Sequence, residues 1–140
     1  SAPALGMRWW ASVGDGAYFN GTRICVSTVS ELSESHVSTT PNAGWQAVGG
    51  IPKLVQLQTD ALRARGFGDF WQHMLVAQGA VDVAIDSIGL APYDIAALVP
   101  IVQQAGGMCT DRLGETNWRA NSLITTNSLL HAATLAHLPK

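Results

Sequence analysis

The chain has 140 residues, 47% of them hydrophobic and 13% charged, with a formal net charge of −2 at pH 7. That composition can bury a real core, which excludes a disordered segment. With no run of Lys or Arg, it gives no electrostatic pull toward nucleic acid or an anionic membrane, and no apolar run approaches the roughly 18–20 residues of a membrane span.

Cys25 and Cys109 belong to no CxxC or Cys/His pattern, and read as reduced core residues of a cytoplasmic protein. The start, SAPALGMRWW, lacks an initiator Met and reads as the interior of a strand, so a piece of a longer protein is expected. Met7 to Val13 is strand-like, Gly14-Asp15-Gly16 is a turn, and Ala17-Tyr18-Phe19 leads into Asn20-Gly21. Both of these last residues tolerate positive φ, which makes the pair a strong hairpin signal. Thr22 to Ser27 then alternates, completing an antiparallel meander.

Ser27 or Ser30 could cap a short helical turn before Glu34, and His36 to Thr40 reads as a strand. Pro41 to Gly50 reads as a loop carrying Trp45. Leu54, Val55, Leu57, Ala61 and Leu62 fall at helical spacing, which predicts a helix from Pro52 through Arg65, closed by Gly66. Arg63 and Arg65 would then face the negative end of its dipole. A second helix runs from Asp69, its N-cap, to about Gly79, with Phe70, His73, Met74 and Ala77 on one face. Asp82 to Asp86 is a short strand, and Tyr93 to Ala105 a helix kinked at Pro100. Strands follow at Met108–Thr110 and Leu123–Thr126, then a last helix from Ser128 capped by Asn127. This alternation predicts a layered α/β fold with ligands near helix N-termini and strand ends.

Gly66 to Gly107 holds four of the ten acidic residues, Asp69, Asp82, Asp86 and Asp94, and no Lys or Arg. Carboxylates in such surroundings either accept backbone hydrogen bonds or face a cation, because an unpaired buried charge is too costly. Asp94, just before an apolar helical run, has two readings: it caps helix amides, or it ligates a hard cation such as Mg²⁺ beside a phosphate at the helix N-terminus. Asp82 reads as structural, and His73, with no second His at ligand spacing, as a satisfied core histidine.

The segment PYDIAALVPIVQQAGG resembles the C-terminal signature of the inositol monophosphatase family, W-D-x-A-A followed by an apolar run and E-A-G-G. Tyr93 replaces the usual Trp and Gln104 the common Glu. GDGAYFNGTRICVS resembles the same family's G-x-G-A-x-x-N-G hairpin. RWW, GFGDFWQHMLVAQGAVDVAID and TNSLLH are similar to the bacterial histidinol-phosphate phosphatase branch. The resemblance covers the whole chain, in order. It implies the C-terminal half of a layered α/β sandwich, with residues 1–27 as strands of a first sheet and 28–140 as a second α/β layer, a mixed sheet with flanking helices.

It further implies a Mg²⁺-dependent phosphate monoester hydrolase, either a histidinol-phosphate phosphatase of histidine biosynthesis or a phosphatase of inositol phosphate or another small ester. Asp94 would hold the metal. Asp86 would contact the non-phosphate part of the substrate, and Asp69 its ammonium or imidazole. The expected partners are a small phosphorylated substrate and a second copy, or a missing N-terminal half, with no nucleic acid and no membrane. The family's D-P-I-D-G-T metal segment and upstream glutamates do not occur here, so the catalytic residues are not assignable and no turnover is expected from these residues alone. From a different class, the chain could be a silent binding or assembly module that keeps the fold.

Overall fold

Turn chemistry sets the first sheet in the computed structural model, which describes residues 1–117 and 119–139. β1 (Trp9–Ser12), β2 (Gly16–Phe19) and β3 (Thr22–Ile24) form an antiparallel meander in that order. Asn20 (φ 48°) and Gly21 (φ 84°) occupy the two central positions of the β2–β3 turn, both left-handed as a primed hairpin turn requires. Alternation then sorts the side chains. Trp9 and Ala17 are buried, with Trp9 stacked on Phe19, while Trp10 stacks on Tyr18 with ring centroids 4.2 Å apart.

The second sheet is built from β4 (His36–Thr39), β5 (Arg63–Arg65), β6 (Val83–Ile85), β7 (Met108–Thr110) and β8 (Ile124–Thr126), in the order β5-β4-β6-β8-β7. β4 runs parallel to β5 and β6, and β8 antiparallel to β6 and β7, so the sheet is mixed. Central β6 is buried along its whole length. Val83 and Ile85 join one core with Val37, Trp45, Leu54 and Leu57, and Ala84 points into the other with Met74, Ile101 and Val102. The helices α3 (Trp71–Ala77) and α5 (Leu98–Gln104) lie between the sheets: α5 touches β1, β2 and β7, and α3 touches β6 and β8. This is the layered α/β arrangement that the alternation of elements predicts. No helix among the described residues is long and apolar enough to cross a membrane.

Several local expectations are corrected. The helix expected through Arg65 is α2 (Ile51–Asp60) and stops five residues early: Ala61 is extended, and Arg63–Arg65 pair in parallel with β4 as an edge strand. Leu62 is exposed, so its match to the helical period was coincidental, and the two arginines lie beyond the last turn of α2 as exposed strand residues. The loop around Trp45 contains α1 (Ala43–Ala47), capped by Asn42, whose Oδ1 accepts from the amides of Gly44 and Trp45. Asp69 is not a helix cap; it has φ 53°, and α3 begins two residues later without a side-chain cap. The helix expected at Tyr93–Ala105 is two, α4 (Pro92–Ile95) and α5, interrupted at Ala96-Ala97. Pro100 falls in the first turn of α5, where its missing N–H breaks no hydrogen bond.

Only a 3₁₀ turn at Leu32–Glu34 forms after β3, and neither Ser27 nor Ser30 caps it. The last helix, α6 (His131–Ala136), starts later than Ser128; Asn127 Oδ1 instead accepts from Leu130 N at 3.1 Å, stabilising the turn before it. Of the two free cysteines only Cys109 is a core residue, its thiol pushed by burial up to about 12, whereas Cys25 is exposed.

Two buried polar contacts tie the layers. Trp45, fully buried, donates its indole N–H to the carbonyl of Asp86 at 2.7 Å. His131 is packed between two threonines. Thr110 Oγ1 spends its proton on the carbonyl of Asp111 and therefore accepts from His131 Nε2, and Thr126 Oγ1 faces Nδ1, each at 3.1 Å. This pairing suits a neutral imidazole, and burial pushes the His131 pKa below its ordinary 6.5.

Trp45→Phe keeps the ring but orphans the Asp86 carbonyl, and should cost about 1–3 kcal/mol in a urea or guanidinium unfolding curve. Between the lowered His131 pKa and 6.5 the unfolded chain binds more protons than the folded one, so stability is lost as pH falls below 6.5. His131→Gln should flatten that part of a stability-versus-pH curve. The acid loss due to Asp86, whose pKa is held under 3.8, lies in a separate window below that value.

Candidate active site

Asp69, Asp86 and Asp94 line a single cleft of about 480 Å³, together with the aromatic side chains of Trp9, Phe70 and Tyr93. They come from three separate places: the loop before α3, the end of β6 and the first turn of α4. Among the described residues no Lys or Arg side chain lines the cleft, and its three carboxylates favour a cation or a hydrogen-bond donor.

Asp86 is 6% exposed, and its carboxylate is held on both oxygens. Oδ1 accepts from Ser87 N at 2.7 Å and Thr40 Oγ1 at 3.0 Å, and Oδ2 pairs with His73 Nε2 at 3.1 Å. Burial alone would raise its pKa, but the bonds from His73, Ser87 and Thr40 outweigh that and hold it below the usual carboxylate value. It therefore stands as a fixed negative charge.

Asp94 is exposed and occupies the third position of α4, where Oδ2 accepts the amide of Ala91 at 2.9 Å. Ala91 has no side-chain acceptor to return the bond, so this is half of a reciprocal cap. Oδ1 accepts nothing from the described residues and is available to the cleft. The two readings of Asp94 are thus compatible, because one oxygen finishes the helix and the other can take a hard cation. Asp69 is exposed, forms no bond with the described residues and sits in the left-handed region, which Asp tolerates better than most side chains.

Asp82 lies outside the cleft. It is 5% exposed and accepts from the Ser27 hydroxyl and from His36 N, which fastens the segment after β3 to the start of β4. His73 is fully buried and satisfied on both nitrogens, yet one of its partners is Asp86.

Residues that support the cleft went unread in the sequence. Thr40 and Trp45 hold the side chain and backbone of Asp86 from 46 and 41 residues away. Asn42 clamps the loop after β6, donating to the carbonyl of Ile88 at 2.7 Å while capping α1. The Pro-Asn pair ahead of AGWQA was a helix-start signal that could have found α1; nothing local reveals the contact with Asp86. Among the described residues no group of three or more His, Cys, Asp or Glu side chains gathers into a metal site.

The architecture and the residues both have counterparts. The inositol monophosphatase family model matches residues 1–140. The chain is 38% identical to the histidinol-phosphatase of Mycobacterium tuberculosis, across 99% of this chain and 55% of that protein. It is 43% identical to the histidinol-phosphatase of Chlorobaculum parvum, across 80% of this chain and 43% of that one. The solved structure of the IMPase of Thermotoga maritima superposes with a TM-score of 0.85 at 33% identity, covering 97% of this chain and 52% of that one. The chain spans about half the length of the curated relatives it matches. Signature, fold and overall match agree, and the chain belongs to the inositol monophosphatase family.

Proposed function

We propose that the protein carrying this chain is a Mg²⁺-dependent phosphate monoester hydrolase acting on histidinol phosphate, a cytoplasmic enzyme that works as a homodimer or together with a further segment. The observation that carries this reading is the convergence of Asp69, Asp86 and Asp94 on one aromatic-walled cleft. Two relatives bearing the name histidinol-phosphatase support the choice of ester.

The donor chemistry fits a hard cation, since Asp94 offers an uncommitted carboxylate oxygen and Mg²⁺ binds through one or two carboxylates plus substrate phosphate. Bound there, Mg²⁺ supplies Lewis-acid stabilisation of the charge that develops on the phosphoryl group. The chain's own residues bind and orient the ester. Asp94 sets the end at which the phosphate lies. Asp86, ionised and fixed, accepts hydrogen bonds from the amino alcohol. Asp69 pairs with its ammonium or imidazolium, and Phe70 and Tyr93 wall the ring. One metal-binding carboxylate does not complete a catalytic centre, so on this reading the remaining ligands lie outside these 140 residues.

A second reading, hydrolysis of inositol phosphate or another small ester, is favoured by the two acceptor oxygens of Asp86, which would serve ring hydroxyls as well as an amine. A third, a silent assembly module, is favoured by the sparse metal donors among the described residues.

Phosphate release from histidinol phosphate and from inositol 1-phosphate, measured on the intact protein with and without Mg²⁺, separates these readings. Faster, Mg²⁺-dependent release from histidinol phosphate is expected; equal rates favour the broader phosphatase, and no release with either ester favours the module. Asp69→Ala should reduce the preference for histidinol phosphate by roughly 10- to 150-fold, the worth of one charged hydrogen bond of about 1.5–3 kcal/mol. The 140-residue chain on its own should release no phosphate; metal-dependent release by it would overturn the placing of the other ligands elsewhere.

A further inference from the structure

We propose that His73 is a positioning residue for the site: it fixes the Asp86 carboxylate so that the acceptor edge of that carboxylate faces the cleft. The inference rests on the reading that Asp86 meets the organic part of the substrate, and it assigns a function to a histidine that the sequence alone marks as core.

The hydrogen-bond directions can be worked out atom by atom. Oδ1 of Asp86 receives the Ser87 amide at 2.7 Å and the Thr40 hydroxyl at 3.0 Å, which leaves an ionised carboxylate as the species that matches its surroundings. Oδ2 is then an acceptor, so the proton lies on His73 Nε2, 3.1 Å away. His73 Nδ1 shares a hydrogen bond with the hydroxyl of Thr125 at 2.9 Å, which holds the other side of the ring. The chain runs Thr125 to His73 to Asp86, from β8 through α3 to the end of β6.

The adjacent residue, Gln72, acts in parallel on the other oxygen. It is wholly buried, and its Oε1 accepts the Ser38 hydroxyl at 2.8 Å, which orients the amide. Its Nε2 lies 3.4 Å from Thr40 Oγ1, the atom that donates to Asp86 Oδ1. Consecutive residues of α3 therefore hold the two oxygens, His73 directly and Gln72 through Thr40. Apolar packing alone would not need this. A Phe or Leu at position 73 would fill the volume without two further polar atoms to satisfy, but it would leave Oδ2 buried without a donor.

The test uses the intact protein with L-histidinol and inorganic phosphate as separate calorimetric probes, alongside steady-state kinetics on histidinol phosphate. His73→Phe should weaken L-histidinol by about tenfold or more and leave phosphate within about twofold, raising KM more than it lowers kcat. His73→Gln, whose amide can donate to Oδ2, should recover most of the loss. Asp86→Asn should weaken L-histidinol as much, and adding His73→Phe to it should do little more. In the unaltered protein, nitrogen NMR should show His73 protonated on Nε2 with slow exchange.

A His73→Phe variant that loses both probes equally, a His73→Gln variant no better than it, or an Nε2 without its proton overturns the inference. If Asp86→Asn weakens L-histidinol and His73→Phe does not, the positioning role alone falls. If Asp86→Asn leaves L-histidinol unchanged, the reading of Asp86 falls first.

Discussion

A carboxylate that is almost fully covered cannot stay charged without donors on both oxygens, and Asp86 has them. Much of the architecture around the cleft follows from meeting that demand. β6 delivers the residue at its C-terminal end, the first turn after β6 supplies an amide, β4 brings Thr40 alongside, and α3 brings His73. Trp45 pins the backbone carbonyl of the same residue from the far side of the sheet. Loss of His73 or Trp45 would leave a buried acceptor unpaired, a penalty of about 1–3 kcal/mol for each such group, whereas Oδ1 would keep a second donor if Thr40 were lost.

The placing of α3 between the sheets serves packing and chemistry together. Its apolar residues Met74, Val76 and Ala77 belong to the core shared with Trp9 and Ala17 of the first sheet and with Ala84 of β6. Its polar residues Gln72 and His73 are just as deeply buried but point at threonine and serine hydroxyls and at Asp86. One short helix therefore fills the core and fixes the charge at the wall of the cleft. The mouth is treated differently. Asp69 and Asp94 are exposed, and each keeps at least one oxygen uncommitted to the described residues. A rigid acceptor, Asp86, lies deep in the cleft and adaptable ones lie at its rim.

Much of this was legible in the 140 residues themselves. Hairpin chemistry at Asn20-Gly21, the alternation of apolar runs and the break at Gly106-Gly107 determined the meander, every strand but β5 and the layered α/β class, because turn φ and side-chain period are local properties. The charge-poor segment with its isolated aspartates singled out Asp69, Asp82, Asp86 and Asp94, and the family resemblance then set Asp82 apart from the other three. Only tertiary structure decided the rest. The apolar spacing through Arg65 satisfied a helix equally well, and pairing with β4 turned Arg63–Arg65 into a strand. His73 carried no mark separating a core imidazole from one that grips a site carboxylate, because the distinction lies with Thr125 and Asp86, 52 and 13 residues away. Propensity and periodicity are sums over neighbours in sequence, whereas burial and hydrogen-bond partners are set by neighbours in space.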